Sequence, residues 1–371
     1  MVPRLPAPLR LLPLIVLLAA ALPTRGETPK APKTRNVFLI TADGLRREEV
    51  FEGADPLLIS KEYGNVGNTN LVRKEFLAED PGECRRKLFP FLWGTVAKQG
   101  QLLGNPRLGS EVRVSNGRNF SYPGYNEFLT GVADPRITSN DKNLNANTNV
   151  FEWLHQRPGF KGKVAAAVNW DVIPWILNCP RSRIPVWSGF DVPEGTPRLP
   201  VPEALTTMVD HGKTIWSGVL LDTFVGFAAT HTVRKMKPRA MYIAFGETDD
   251  WAHEGNYERY LRSAQGFDRF IGELWTLVQS MPQYRNRTTF VITVDHGRGP
   301  APMAWKNHGR EIVDSAGMWM AILGPDTPPL GERRNVPSVK QAQTAATLAA
   351  LLGEEFHKAS PQAAPPIGFV F

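Results

Sequence analysis

The chain has 371 residues, 42% of them hydrophobic and 21% charged, which excludes a disordered or collagen-like chain and suits a globular protein with a large core. Formal charge is +7; Arg4, Arg10 and Arg25 lie in an N-terminal segment expected to be removed, and 43 basic residues less these three leave 40 against 36 acidic, or +4. An excess so mild and so evenly spread gives no basis for a nucleic-acid partner.

Residues 1–26 read as a secretory signal. Arg4 and Arg10 supply a positive start, Leu11 to Leu22 form an apolar run of 12, and Ala19, Ala20 and Ala21 offer a cleavage region. The run is shorter than the roughly 20 apolar residues of a membrane-spanning helix, so export is expected, with a retained N-terminal anchor as the alternative. No later stretch is apolar enough to span. Residues 27–35 are polar and Pro-rich, a linker into a folded domain expected over 36–371.

Short apolar runs ending in polar or Gly-bearing turns follow: Asn36 to Thr41, Lys163 to Asn169, Arg239 to Gly246, Thr288 to Val294, and Met318 to Gly324. Such runs are the pattern of strands buried on both faces of a parallel sheet. Helical periodicity is clearest from Tyr257 to Gln279 and from Ser338 to Leu352. The alternation predicts an α/β class fold, a three-layer α/β/α sandwich with a mostly parallel central sheet and ligands at the carboxyl ends of the strands. Two segments, 47–118 and 171–205, are too irregular for simple crossovers and read as insertions framing a site. Cys84 and Cys179 stand in no ligand spacing, and the sequence leaves both a disulfide and two separate thiols open.

Three of the predicted strands end in carboxylates or histidines. Asp43 follows the first, Asp249 and His253 follow the third, and Asp295 and His296 follow the fourth, with His308 in the next loop. One such Asp is readily a helix cap, but three on the same side of one sheet suggest metal binding. Carboxylates with neutral imidazoles suit zinc or a similar divalent ion, and six ligands suggest two ions. His155, His211, His231 and His357 read as structural. Trp170, Trp175, Trp187 and Trp251 read either as an aromatic lid or as core.

Ser121, in Ser121-Tyr122-Pro123-Gly124-Tyr125, stands just before a Pro-containing helix start. It reads as an N-cap or as a nucleophile, whose phosphoryl oxygen the helix-start N–H groups would hold and whose hydroxyl a neighbouring metal would activate.

In order along residues 36–310, these elements resemble the alkaline phosphatase superfamily, in particular its type I phosphodiesterase and nucleotide pyrophosphatase branch. The resemblance implies that Asp249, His253 and His308 hold one metal and Asp43, Asp295 and His296 the other. It implies that Ser121 becomes phosphorylated while a small phosphate mono- or diester is hydrolysed. Phosphotransfer or phosphonate hydrolysis on the same core is the nearest alternative, and a non-catalytic exported binding protein the alternative of another class. The family also places an Asn beyond the nucleophile to hold a phosphoryl oxygen, for which Asn140 or Asn143 is the candidate. The chain departs from the branch in having Ser where Thr is common. Sulfatases share the fold but carry Cys-x-Pro-x-Arg; Cys179-Pro180-Arg181 has its Pro one place early and lies far from Ser121.

Overall fold

The computed structural model describes residues 1–3, 31–211 and 215–371. Nearly all of the signal segment, and 27–30 of the linker, lie outside the described residues. The fold proper is one compact unit, Pro32–Phe371. Among the described residues no helix is long and apolar enough to cross a membrane.

Eleven strands are found among the described residues: β1 (Asn36–Ala42), β2 (Gln101–Leu103), β3 (Val112–Arg113), β4 (Val164–Val168), β5 (Val186–Trp187), β6 (Ala240–Phe245), β7 (Thr288–Val294), β8 (Gly317–Met318), β9 (Met320–Leu323), β10 (Gly331–Glu332) and β11 (Val339–Lys340). Eight form the central sheet in the order β10-β2-β9-β7-β1-β6-β4-β5, and β11-β3-β8 form a separate small sheet. The run β7-β1-β6-β4-β5 is parallel throughout; β9 is antiparallel to both β7 and β2. The sheet is therefore mostly parallel, as expected. β1, β6 and β7 are buried along their whole length, which is why they are continuous apolar runs without alternation.

Helices cover both faces. Tyr242 of β6 packs against Phe128 and Phe151, on helices Ser121–Thr130 and Val150–His155. Phe245, three residues on and so on the opposite face, packs against Phe267 and Phe270 of helix Tyr257–Ser280.

Two expectations are corrected. The run Met318 to Gly324 is not one strand: Gly317–Met318 pairs with β3 in the small sheet, and Met320–Leu323 enters the central one. The helix expected from Ser338 to Leu352 spans only Gln343–Leu351, because Val339 and Lys340, at the start of the periodic stretch, are taken into β11 by pairing with β3. Segment 47–118 holds four helices between Arg47 and Leu88 and the strands β2 and β3, while 171–205 carries two single-turn helices and the edge strand β5. Cys84 and Cys179 are both buried free thiols.

Candidate metal centre

Register brings the site together. Ala42, the last residue of β1, lies opposite both Phe245 of β6 and Val294 of β7, so Asp43, Gly246 and Asp295 leave the sheet at one level. Asp43 is fixed by its N–H, which donates to Phe245 O at 2.9 Å, and by the Tyr125 hydroxyl, which donates to Asp43 Oδ2 at 3.0 Å. Gly44 follows in the left-handed region at φ +59°, and a Cβ there would lie 2.6 Å from Asp249 Oδ1 and 2.7 Å from Arg298 Nη1. Only glycine lets the backbone pass so close. After β6 the chain enters helix Glu247–His253, whose start is capped by Asp222 accepting from Gly246 N (2.9 Å) and Glu247 N (3.3 Å). Asp249 and His253 are four apart on it and share a face, with His253 Nε2 3.1 Å from Asp249 Oδ2.

Two groups of three ligands result, each with its donor atoms within 4.8 Å of one another. The inner group, Asp43, Asp295 and His296, is buried; the outer group, Asp249, His253 and His308, reaches the surface. They adjoin: the rings of His296 and His308 stack at 3.9 Å between centroids. In the inner group His296 Nε2 lies 3.3 Å from Asp43 Oδ1 and 3.2 Å from Asp295 Oδ2, and both carboxylate oxygens are buried without a hydrogen-bond partner. His296 Nδ1 lies 2.9 Å from the carbonyl of Gly297, to which it donates when Nε2 is the free nitrogen. In the outer group His253 Nε2 and His308 Nε2 face each other at 3.0 Å, and His308 Nδ1 lies 3.2 Å from Asn119 O. Imidazoles oriented through Nδ1 with Nε2 converging on carboxylates are the arrangement of a metal site with its supporting hydrogen bonds. Buried carboxylate oxygens with no donor are costly unless a cation meets them. The residues present fit two divalent ions.

The same crowding governs the charges. Burial, and after it Asp43, holds the Asp295 carboxyl well above the usual range. Burial opposes charge on His296, but Asp295, Asp43 and Asp249 outweigh it and push the imidazole up to about 9. Burial, then His296, drives His308 far down. Asp249 is pulled well below the carboxylate range against its burial, most strongly by Arg298. The neighbouring Asp250 is pushed up to about 8 by burial and then by Asp249 and Asp43.

Ser121 is the first residue of its helix, not its N-cap; Phe120 holds that position. Its hydroxyl caps nothing and lies 3.4 Å from His296 Nε2. The helix approaches the sheet through Gly124, where a Cβ would be 2.4 Å from Asp295 O. The Tyr122 N–H, expected to be open to a ligand, instead donates to Asn140 Oδ1 at 2.9 Å. Asn140 thus stands at the helix start, whereas Asn143 touches Tyr122 only through its backbone carbonyl, which accepts from the phenol at 2.5 Å. A cavity of about 390 Å³ opens beside Tyr122, lined by Arg136, Ser139 and Asn143 among others. A larger one, about 620 Å³, lies against Trp251 behind the Asp249 helix and contains none of the six ligands. Trp187 and Trp251 are buried, and Trp170 packs on Tyr125 at 5.9 Å. Cys179 is buried in the short helix Cys179–Ser182, which packs on Val150–His155.

Three participants were missed in the sequence. Asn119 adopts φ +54°, which asparagine tolerates, and so turns its carbonyl toward His308. Arg298 pairs with Asp249. Tyr125 carried a usable signal, lying four residues after Ser121 on one helical face.

A family description, the metalloenzyme superfamily, matches residues 227–318, which contain Asp249, His253, Asp295, His296 and His308. No curated protein sequence matches the chain. Among solved structures, the phosphonate monoester hydrolase of Silicibacter pomeroyi aligns at TM-score 0.55 with 13% identity, over 91% of this chain and 76% of that one. The lipoteichoic acid synthase LtaP of Listeria monocytogenes aligns at 0.54 with 10% identity, over 87% and 73%. Murine ectonucleotide pyrophosphatase / phosphodiesterase 5 aligns at 0.50 with 13% identity, over 89% and 96%. The fold is alkaline phosphatase-like. At such identities the likeness concerns the fold; the chemistry rests on the residues of this chain.

Proposed function

We propose that this chain is an exported hydrolase of small phosphate esters that works with two divalent ions, zinc preferred, and with Ser121 as nucleophile. One observation carries the reading: the Ser121 hydroxyl, free of any capping role, stands 3.4 Å from His296 Nε2 beside two buried carboxylate oxygens that have no partner.

Asp43, Asp295 and His296 would hold one ion, and Asp249, His253 and His308 the other. Bound there, the ions would supply the positive charge that lowers the pKa of the serine hydroxyl and offsets charge on the transferring phosphoryl group and the departing oxygen. Ser121 Oγ gives up its proton and forms a bond to phosphorus while the ester oxygen leaves on the opposite side and takes up a proton. Water then attacks the phosphoserine, the Oγ–P bond breaks, and Ser121 recovers its proton as the phosphate product leaves. Asn140, fixed at the helix start through Oδ1, would offer its Nδ2 to a phosphoryl oxygen. The cavity beside Tyr122 would receive the organic part of the ester.

The test is acid-quenched turnover of nitrophenyl phosphate, bis-nitrophenyl phosphate and a nucleotide ester, with an aryl phosphonate and an aryl sulfate as comparators, followed by peptide mass analysis. Wild type should carry phosphate on the Ser121 peptide. Ser121→Ala should lose it and at least about a thousandfold in rate while keeping its metal. Phosphate on another residue, or a folded protein that holds no metal and turns over none of these esters, would end the proposal.

A further inference from the structure

We propose that Arg298 is a built-in cation of the centre, which occupies one oxygen of Asp249 and makes the two ion sites unequal, the inner one tight and the outer one weak and exchangeable. The inference rests on the two-ion reading above but fails separately from it.

Arg298 lies two residues after His296, and its side chain is fully buried. Its guanidinium is used on every side: Nε donates to Trp305 O at 2.8 Å, Nη2 to Lys306 O, and Nη1 to Asp249 Oδ1. The backbone on either side of these contacts is pinned, because Gly299 N donates to Asn307 O at 3.0 Å and Gly299 O accepts from Arg46 Nη1 at 3.2 Å. Gly44 closes over the pair, with no room for a side chain above it. The guanidinium therefore cannot swing out to meet a substrate; it acts through Asp249, as a positioning residue.

Asp249 Oδ1 is also the oxygen at the junction of the two groups, 3.6 Å from His308 Nε2 and 4.0 Å from His296 Nε2. With Nη1 on it, Asp249 has Oδ2 left for the outer group, on the side of His253. The outer group is then one carboxylate oxygen and two imidazoles beside a fixed positive charge. The inner group keeps two carboxylates whose Oδ1 (Asp43) and Oδ2 (Asp295) meet no donor. A dication is repelled by the guanidinium at the first and drawn by unmatched negative charge at the second.

The experiment is graded chelation of the metal-loaded full-length chain, counting ions retained per chain while circular dichroism follows the fold. Wild type should lose its ions in two steps, the outer one at a chelator concentration at least tenfold lower. Asp249→Asn should remove the first step only. Arg298→Met, which keeps length but not charge, should tighten the outer ion at least tenfold, and Arg298→Lys should restore wild-type release. One ion in wild type with two in Arg298→Met is the strongest form of the expected result. Release of both ions in one step, or an outer ion in folded Arg298→Met no tighter than in wild type, would overturn the inference and leave the phosphoserine test untouched. Should Arg298→Met fail to fold, the number of release steps in wild type decides alone. A chain that binds no ion in any variant overturns both proposals at once.

Discussion

Gly124→Ala separates the positioning of Ser121 from the stability of its helix. The added Cβ would lie 2.4 Å from Asp295 O, 3.0 Å from its carbonyl carbon and 3.3 Å from its Cβ. Backbone is what it meets, so no side chain can swing aside. Ordinary contact begins at 3.4 Å, and the helix start must retreat by about 1 Å to reach it. In stability the two effects oppose each other. Alanine gains about 1 kcal/mol over glycine in a helix interior, and overpacking costs about 1–3 kcal/mol. The net loss is about 0–2 kcal/mol, a few degrees of melting temperature at most. In activity nothing compensates: a 1 Å misplacement of a reacting group costs on the order of a hundredfold. Gly124→Ala should therefore melt close to wild type and retain its metal, while kcat/KM on nitrophenyl phosphate falls about a hundredfold. Gly266→Ala is the control, since its Cβ would meet nothing within 4 Å; it should gain about 0.5–1 kcal/mol without touching activity. A Gly124→Ala protein with kcat/KM within about threefold of wild type would refute the idea that this close approach positions the serine.

The inner group predicts a metal-dependent effect of Asp43→Asn. In metal-saturated protein it removes a ligand and should lower the melting point by more than it does in chelated protein; an equal shift in both states would show that the inner group is not a cation site. Asp268, which accepts from Phe91 N (2.7 Å) and Leu92 N (2.9 Å), is pushed up to about 7 by burial, against those two hydrogen bonds. A carboxyl raised above its unfolded value of about 3.9 binds the extra proton in the fold, so its contribution is full below pH 4 and is lost as pH rises to about 7. Asp268→Asn should flatten that part of the stability profile, worth at most about 4 kcal/mol, in urea unfolding followed from pH 4 to 8. An unchanged slope would remove Asp268 as its source.

What the sequence carried, and what it withheld, divides by the range of the interaction that decides each feature. β1, β6 and β7 are legible because both faces are buried for six or seven residues, and apolar continuity reports that directly. β2, β5 and β10 span two or three residues and exist only where a neighbour in the sheet pairs with them, so no local pattern marks them. The Asp249–His253 spacing is helical and therefore readable, and Asp43 and Asp295 stand at strand ends. Asn119 and Arg298 were hidden for different reasons. Asn119 acts through a carbonyl turned by a positive φ, which side-chain chemistry does not announce. Arg298 looks like any polar residue in a loop until the chain between Gly297 and His308 folds back and buries it.

The depth of the two ligand groups follows from how each is carried. Asp43, Asp295 and His296 sit directly on the ends of β1 and β7, and they inherit the burial of the sheet. His253 comes from a helix end and is exposed, whereas His308, in a loop, is half-buried. A cation in the inner group would gain most from low local polarity and unmatched carboxylates, and would stabilise the fold itself by linkage. The outer group, open to water at His253 and already sharing its carboxylate with Arg298, has far less to hold an ion with. The face where an ester would arrive is thus the face where the ion is held least, so binding of substrate oxygen should tighten the outer ion in return, by reciprocity of coupled binding.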